Sequence, residues 1–181
     1  MAHPLQTPWS LWYDSKKTGH GDKYEESLIH VAPFATVEEF WTLFHHIKKP
    51  SAIDIGANMH LFRTGIKPMW EDPSNQKGGK WTITLQGPDL ARVDTVWENL
   101  ILGVIGETMD SGDEIVGIVL GKRRSQMKLA IWTRSKEKPE VLMALGKRIR
   151  ADLEMDPSVA VEFFPHKDPH DAEFPSAMFK V

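Results

Sequence analysis

Strand-like segments arrive in this chain as neighbours too close for a helical crossover, and that spacing steers it toward an antiparallel sheet. A parallel pair needs a connection of about a dozen residues or more, usually a helix. Ser10–Tyr13 reads as a strand, and Tyr24–Val31 looks extended beyond a polar stretch, Asp14–Asp22, read as a mobile loop. His60–Phe62, Trp81–Gln86, Glu114–Leu120, Lys128–Arg134 and Val159–Phe164 are further strand candidates. Three helices interrupt them. Thr36-Val37-Glu38-Glu39 fits a capping box, and Val37, Phe40, Trp41, Phe44 and Ile47 follow at helical spacing until Pro50. Pro88–Asp89 opens a second helix, with a broad apolar face from Leu90 to Ile105. Pro139 opens a third, stacking Val141, Leu142, Leu145, Ile149 and Leu153. The order strands, helix, strands, helix, hairpin, helix, strand predicts an α+β fold, an antiparallel sheet with helices on one face.

At 181 residues the chain is expected to form a single domain over 1–181, with a partly flexible segment at 1–8 and a mobile Pro-, His- and Asp-rich loop at 165–176. It has no cysteine, which removes disulfides, thiolate metal sites and cysteine nucleophiles together. No apolar run approaches the roughly 18 residues of a membrane span, and the start does not read as a signal peptide. A net charge of -3 does not suit bulk neutralisation of nucleic acid, so any such contact must be local. His166 and His170 have a metal-like spacing without companion ligands, so neither a metal nor a cofactor is expected. No nucleophile elbow, phosphate loop or acid/base pair is found, which argues for a binding protein rather than an enzyme.

Seven tryptophans stand against two tyrosines. Trp70 sits in Pro68-Met69-Trp70-Glu71-Asp72-Pro73. One reading has it tuck this loop onto the body. The other makes it a stacking platform, because an aromatic face beside a carboxylate suits a flat, positively charged ligand. The turn Lys122-Arg123-Arg124, with Lys128 and Lys80, could hold phosphates nearby or be solvated surface charge. Trp9, Trp12, Trp81 and Trp97 are read as core or sheet residues.

Several blocks together resemble the messenger-RNA cap-binding family of translation initiation factor 4E. They are His3-Pro4-Leu5-Gln6, Val37-Glu38-Glu39-Phe40-Trp41, Gly65-Ile66-Lys67-Pro68-Met69-Trp70-Glu71-Asp72, Gly78-Gly79-Lys80-Trp81 and Leu129-Ala130-Ile131-Trp132. The resemblance implies a curved antiparallel sheet of about eight strands with three long helices on its convex face. It implies a non-enzymatic protein that sandwiches 7-methylguanosine, a cationic base, between two aromatic faces. By position, Trp70 matches one slice of that sandwich, Glu71 the carboxylate that pairs with guanine, and Trp132 the contact to the N7 methyl. Arg123, Lys128 and Lys80 match the phosphate clamp. Tyr24 falls where initiation factor 4E proper has a tryptophan, and Gly121 where it usually has asparagine. Tyrosine is the weaker cation–π partner, so lower cap affinity is implied.

Tyr24, Glu98 and the block Trp97-Glu98-Asn99-Leu100-Ile101-Leu102 are most like class II of the family, the 4E-homologous and novel cap-binding proteins. The resemblance also implies a second surface on the convex side, formed by His3, Pro4, Leu5, Val37, Trp41, Glu98 and Leu102. It would bind helices carrying a Tyr-x-x-x-x-Leu-Φ motif, as in initiation factor 4G, 4E-binding proteins or class II repressor partners. From spacing alone, Trp41 reads as core. The expected role is cytoplasmic translation regulation by a monomer, repressor-type. A general initiation factor recruiting 4G is the alternative, and an aromatic-cage reader of methylated lysine a remote one.

Overall fold

The computed structural model describes residues 1–15, 24–110, 113–166 and 176–181. Eight strands form one sheet, and every adjacent pair is antiparallel. In chain order they are β1 (Pro4–Asp14), β2 (Ile29–Thr36), β3 (Asn58–Arg63), β4 (Gly79–Gln86), β5 (Ile115–Lys122), β6 (Gln126–Thr133), β7 (Val161–Pro165) and β8 (Phe179–Lys180). Their order across the sheet is β2-β1-β3-β5-β6-β4-β7-β8. Four helices accompany them: a single turn α1 (Tyr24–Ser27), then α2 (Val37–His46), α3 (Val93–Ile105) and α4 (Pro139–Asp152). The α+β architecture with three long helices is the one the spacing predicted.

Alternation explains how one sheet serves two purposes. In β4, Trp81, Ile83 and Leu85 are buried while Lys80, Thr82 and Thr84 are half-buried. Leu129 and Ile131 of β6 are likewise buried beside exposed Lys128 and half-buried Ala130 and Trp132. A period of two sends one set to each face of a strand. The buried set joins Phe40 of α2, Val96, Trp97, Leu100 and Ile101 of α3, and Leu142, Leu145 and Ile149 of α4 in a single core. Helix α4 lies so close to the sheet that a Cβ on Gly146 would stand 2.5 Å from the Trp81 ring. A smaller cluster on the other face holds Phe62, Ile66 and Val116, with Val119 and Trp132 packed on it.

The capping box at α2 is present. Thr36 Oγ1 accepts the Glu39 N–H at 3.2 Å, and the Glu39 carboxylate accepts the N–H groups of Ala35 and Thr36 at 2.8 and 3.2 Å. Other boundaries differ from expectation. Tyr24–Ser27 is a helical turn rather than extended, closed by the Ser27 hydroxyl donating to the Tyr24 carbonyl at 2.7 Å. Gly87–Arg92 is a 3-10 turn, so the second long helix starts only at Val93. Strand β1 runs Pro4–Asp14, longer than the Ser10–Tyr13 expected. Asp14, expected in the polar loop, ends β1, while residues 16–22 of that loop and 167–175 of the expected mobile loop lie outside the described residues.

Trp9, Trp81 and Trp97 are fully buried, as expected of core residues. Trp12 is half-buried against His30, their ring centroids 4.7 Å apart.

Candidate functional site

The face turned away from the helices carries a cleft of about 430 Å³, within the range typical of small-molecule sites. Tyr24, Trp70, Glu71, Lys80, Arg123, Lys128 and Trp132 all line it. The sequence spreads them over more than a hundred positions, and the sheet brings them together. Lys80 and Trp132 are cross-strand partners on β4 and β6, and Lys128 stands opposite Gly121 of β5.

Trp70 and Glu71 sit on a pinned loop rather than a loose one. The Asp72 carboxylate accepts the N–H groups of Lys67 and Ser74, each at 2.9 Å. Asn75 is fully buried, and its amide donates to the carbonyls of Lys67 at 3.0 Å and Met69 at 2.7 Å. A buried side-chain amide satisfying two carbonyls replaces the hydrogen bonds that a helix or strand would have supplied. Trp70 is half-buried and Glu71 exposed. An ion pair between Glu25 and Lys67 ties this loop to the turn that carries Tyr24.

Trp132 is held on two sides. Its ring meets Phe62 edge-on at 5.3 Å and tilts against His166 at 4.2 Å. His166 is pushed down to about 3 by burial, with Lys80 and Lys136 adding repulsion, so it is a neutral wall at physiological pH. Gly117 lies behind Phe62, where a Cβ would fall 2.4 Å from the ring.

The cleft is also cationic, lined by Lys80, Arg123 and Lys128. Burial holds Lys80 below the usual lysine range, and Lys128 pushes it further the same way. Two cations brought close favour an anionic ligand. Arg123 folds back over the strand, its guanidinium donating to Asn58 Oδ1 at 3.1 Å. A Cβ on Gly121 would stand 2.5 Å from that oxygen and 2.9 Å from the guanidinium, so Arg123 fills the space an asparagine would need. Asn58 and His60 also line the cleft, and neither was singled out from the sequence. The strand's period of two puts them on the face opposite Met59 and Leu61, which pack in the core.

On the helical side, Trp41 and Glu98 line a separate groove between α2 and α3, with Phe44, His45, Asp94 and Trp97. Trp41 stacks on His45 at 5.5 Å and is half-buried, so it is part core and part surface. Val37 and Leu102 are exposed. His3 lies beside α2, its ring nitrogen 2.6 Å from the Glu38 carboxylate, and its carbonyl accepts the Val37 N–H at 2.9 Å. His3 and Pro4 are exposed, Leu5 packs on the core edge, and none of these five residues lines the groove.

Aromatic rings, a carboxylate and three cations gathered in one cleft suit a flat ring joined to a polyanion. Such chemistry needs no catalytic group. Comparison with known proteins makes the assignment specific. The family model described as Eukaryotic initiation factor 4E matches residues 4–178. Eukaryotic translation initiation factor 4E of Saccharomyces cerevisiae is 39% identical over 167 residues, 92% of this chain and 78% of the yeast protein. Factor 4E1 of Drosophila melanogaster is 36% identical, over 92% of this chain and 63% of its own. Among solved structures, eIF4E-3 of Ascaris suum with an m2,2,7G cap superposes with a TM-score of 0.92 at 34% identity, covering 100% of this chain and 99% of that one. The eIF4E-3 of C. elegans in complex with the 4E-binding protein Mextli gives 0.85 at 32%, covering 92% and 94%. The chain belongs to the eukaryotic initiation factor 4E family, a family of translation factors rather than enzymes.

Among the described residues no helix is long and apolar enough to cross a membrane, and no group of acidic or histidine side chains could hold a metal ion. His170 lies outside the described residues.

Proposed function

We propose that this protein binds the 7-methylguanosine cap of messenger RNA and regulates translation through partner proteins on its helical face. One observation carries the first half: the two aromatic slices, the carboxylate and the three cations line one cleft. Trp70 and Tyr24 stack on the two faces of the base. Methylation at N7 makes the base cationic, and cation–π attraction adds to stacking only in that form. Glu71 accepts from the guanine N1–H and exocyclic amine, a pairing that adenine cannot offer. Trp132, braced by Phe62 and His166, borders the N7 methyl. Lys80, Arg123 and Lys128 hold the triphosphate. The test is a tryptophan-fluorescence titration with methylated and unmethylated guanosine triphosphate. Preferential binding of the methylated form is expected, and equal affinity would sink the cationic-sandwich mechanism.

The second half rests on the α2–α3 groove beside exposed Val37 and Leu102. An amphipathic helix laid there would use Trp41 as its central contact. The eIF4E-3 solved with Mextli, and with Mextli and a cap analogue, supports partner binding by a close structural relative. Tyr24 in the slot and Glu98 in the groove favour a class II, repressor-type role in the cytoplasm, exercised by a monomer. A general initiation factor that recruits 4G is the competing role, and it is the name that the yeast and fly relatives carry. A pull-down with a 4G-type helix separates them: firm capture supports the general factor. A methyl-lysine reader would leave Lys80, Arg123 and Lys128 without a purpose. Binding to methylated histone peptide but not to cap analogue would revive it.

A further inference from the structure

A polar cluster lies under the base end of the cleft, and its central residue is not among those lining it. Asp14, the last residue of β1, is 6% exposed. One carboxylate oxygen accepts from the Asn58 amide at 2.8 Å. The other accepts from the Tyr24 hydroxyl at 3.3 Å and lies 2.5 Å from His60 Nε2. Burial raises the Asp14 carboxyl, but its hydrogen bonds and the charge of His60 outweigh that, and the net position is below the ordinary carboxylate range. The carboxylate is therefore ionised where it sits. Its neighbours reach both ends of the cleft. Tyr24 belongs to the base end, and Asn58 passes its own oxygen to Arg123 at the phosphate end.

Tyr24 needs such an anchor. It sits on a four-residue helical turn and is 47% exposed. Packing alone leaves a half-exposed ring on a short turn free to swing. A hydrogen bond to a buried, fixed carboxylate removes that freedom before ligand arrives, which lowers the ordering cost of binding. An O–H donated to an anion also leaves more electron density on the phenol ring, which strengthens its face toward a cation.

We propose, building on the cap-slot reading, that Asp14 is the positioning residue of the slot. One buried carboxylate orients the Tyr24 ring and, through Asn58, the Arg123 guanidinium, so base stacking and phosphate binding share an anchor. The effect on the methylated base is larger than on the unmethylated one, because the ring face responds to the cation.

The experiment titrates the full chain with methylated and unmethylated guanosine triphosphate as wild type, Asp14→Asn, Tyr24→Phe and the double variant, with urea midpoints as the folding control. Tyr24→Phe keeps the ring of a half-exposed residue and removes only its hydroxyl, so it folds even if Asp14→Asn does not. Tyr24→Phe is expected to weaken the methylated ligand about threefold and Asp14→Asn about tenfold, less than the full strength of a hydrogen bond to a charged group because the bond already exists in the free protein. Both are expected to lower the ratio of methylated to unmethylated affinity. The double variant is expected to lose less than the product of the two, since both substitutions remove the same Tyr24–Asp14 bond. Unchanged affinity and ratio in Tyr24→Phe, or strictly multiplicative losses, overturn the positioning role while wild type still selects the methylated ligand. A wild type that does not select it overturns the cap-slot reading itself.

Discussion

Replacing Lys80 by methionine should move folding stability and ligand affinity in opposite directions. Lys80 projects from β4 beside Trp132, half-buried, and both burial and Lys128 disfavour its charge. A lysine whose folded pKa is depressed destabilises the folded state at neutral pH, and the penalty fades as pH rises through the folded value. Methionine has a similar length, fills the same space and carries no charge to desolvate. The urea midpoint of Lys80→Met should therefore rise at pH 7, and the gain should shrink as pH climbs through the folded value. Binding should move the other way. Unit charges about 4 Å apart interact by about 4 kcal/mol at an effective dielectric near 20, and a bound triphosphate stays partly hydrated. The usual range for a charge-assisted hydrogen bond, about 1.5–3 kcal/mol, is the appropriate scale, a loss of roughly ten- to a hundredfold for the methylated triphosphate. The nucleoside without phosphates should bind as before. The slope of log affinity against log salt should flatten by about 0.7, one cation fewer. Fluorescence titration at three salt concentrations and urea melts at pH 7 and 10 read all of this. An equal loss for nucleoside and triphosphate would refute the phosphate role, and a lower urea midpoint would refute the desolvation argument.

Gly121→Asn should weaken the triphosphate several-fold and spare the nucleoside, because its Cβ enters the space of Arg123 and Asn58 at 2.5–2.9 Å; fluorescence titration of both ligands checks it. Gly117→Ala should cost about 1–3 kcal/mol in urea unfolding, because its methyl meets the Phe62 ring at 2.4 Å in a packed cluster. His166 stays neutral in the folded state down to about 3, whereas the unfolded chain protonates it near 6.5. Stability should therefore fall as pH drops from 6.5 toward 4, by up to about 1.4 kcal/mol per unit from this group, and His166→Phe should flatten that slope in urea melts taken across the range. Trp41→Ala should cut binding of a Tyr-x-x-x-x-Leu-Φ peptide at least tenfold in isothermal titration while leaving cap affinity within twofold.

Much of this was legible in the residues before any coordinates. The capping box at Thr36 and Glu39 gave the start of α2 to the residue, because it is a local device with one geometry. The β4 strand was readable because the period of two in Trp81–Gln86 survives in sequence, and Lys128–Arg134 marked β6. Trp70, Glu71 and the basic residues announced themselves by type. What the sequence could not carry is what depends on contacts far along the chain. Asp14 and Asn58 are 44 positions apart and meet only because β1 pairs with β3 in one register. Nothing local marks Asn75 as the buried pin of its loop, since an asparagine after Pro-Ser is an ordinary turn residue. Tyr24 was misread as extended because β-propensity favours tyrosine, while its helical turn is held by Ser27 and by an anchor ten residues away.

The two surfaces are separated by the sheet itself, and that separation has a consequence for regulation. Lys80, Lys128 and Trp132 point away from the helices, while their neighbours Trp81, Leu129 and Ile131 pack into the core that α2 and α3 share. The groove at Trp41 thus meets the cleft only through a layer of close-packed side chains, of which Trp81 and Trp97 are fully buried. Close-packed layers transmit displacement only when they have a second arrangement to adopt, and substitutions at distant sites that share no partner add nearly independently. Within the described residues, no side chain lines both the groove and the cleft. Cap occupancy and partner occupancy should then be close to independent in the isolated chain. A double-mutant cycle between Trp41→Ala and Lys80→Met should close within about 0.5 kcal/mol, read as cap affinity with and without a saturating partner helix. A coupling above about 1 kcal/mol would mean that the sheet has two states, and the place to look for the second is the Glu25–Lys67 tie between the turn bearing Tyr24 and the loop bearing Trp70.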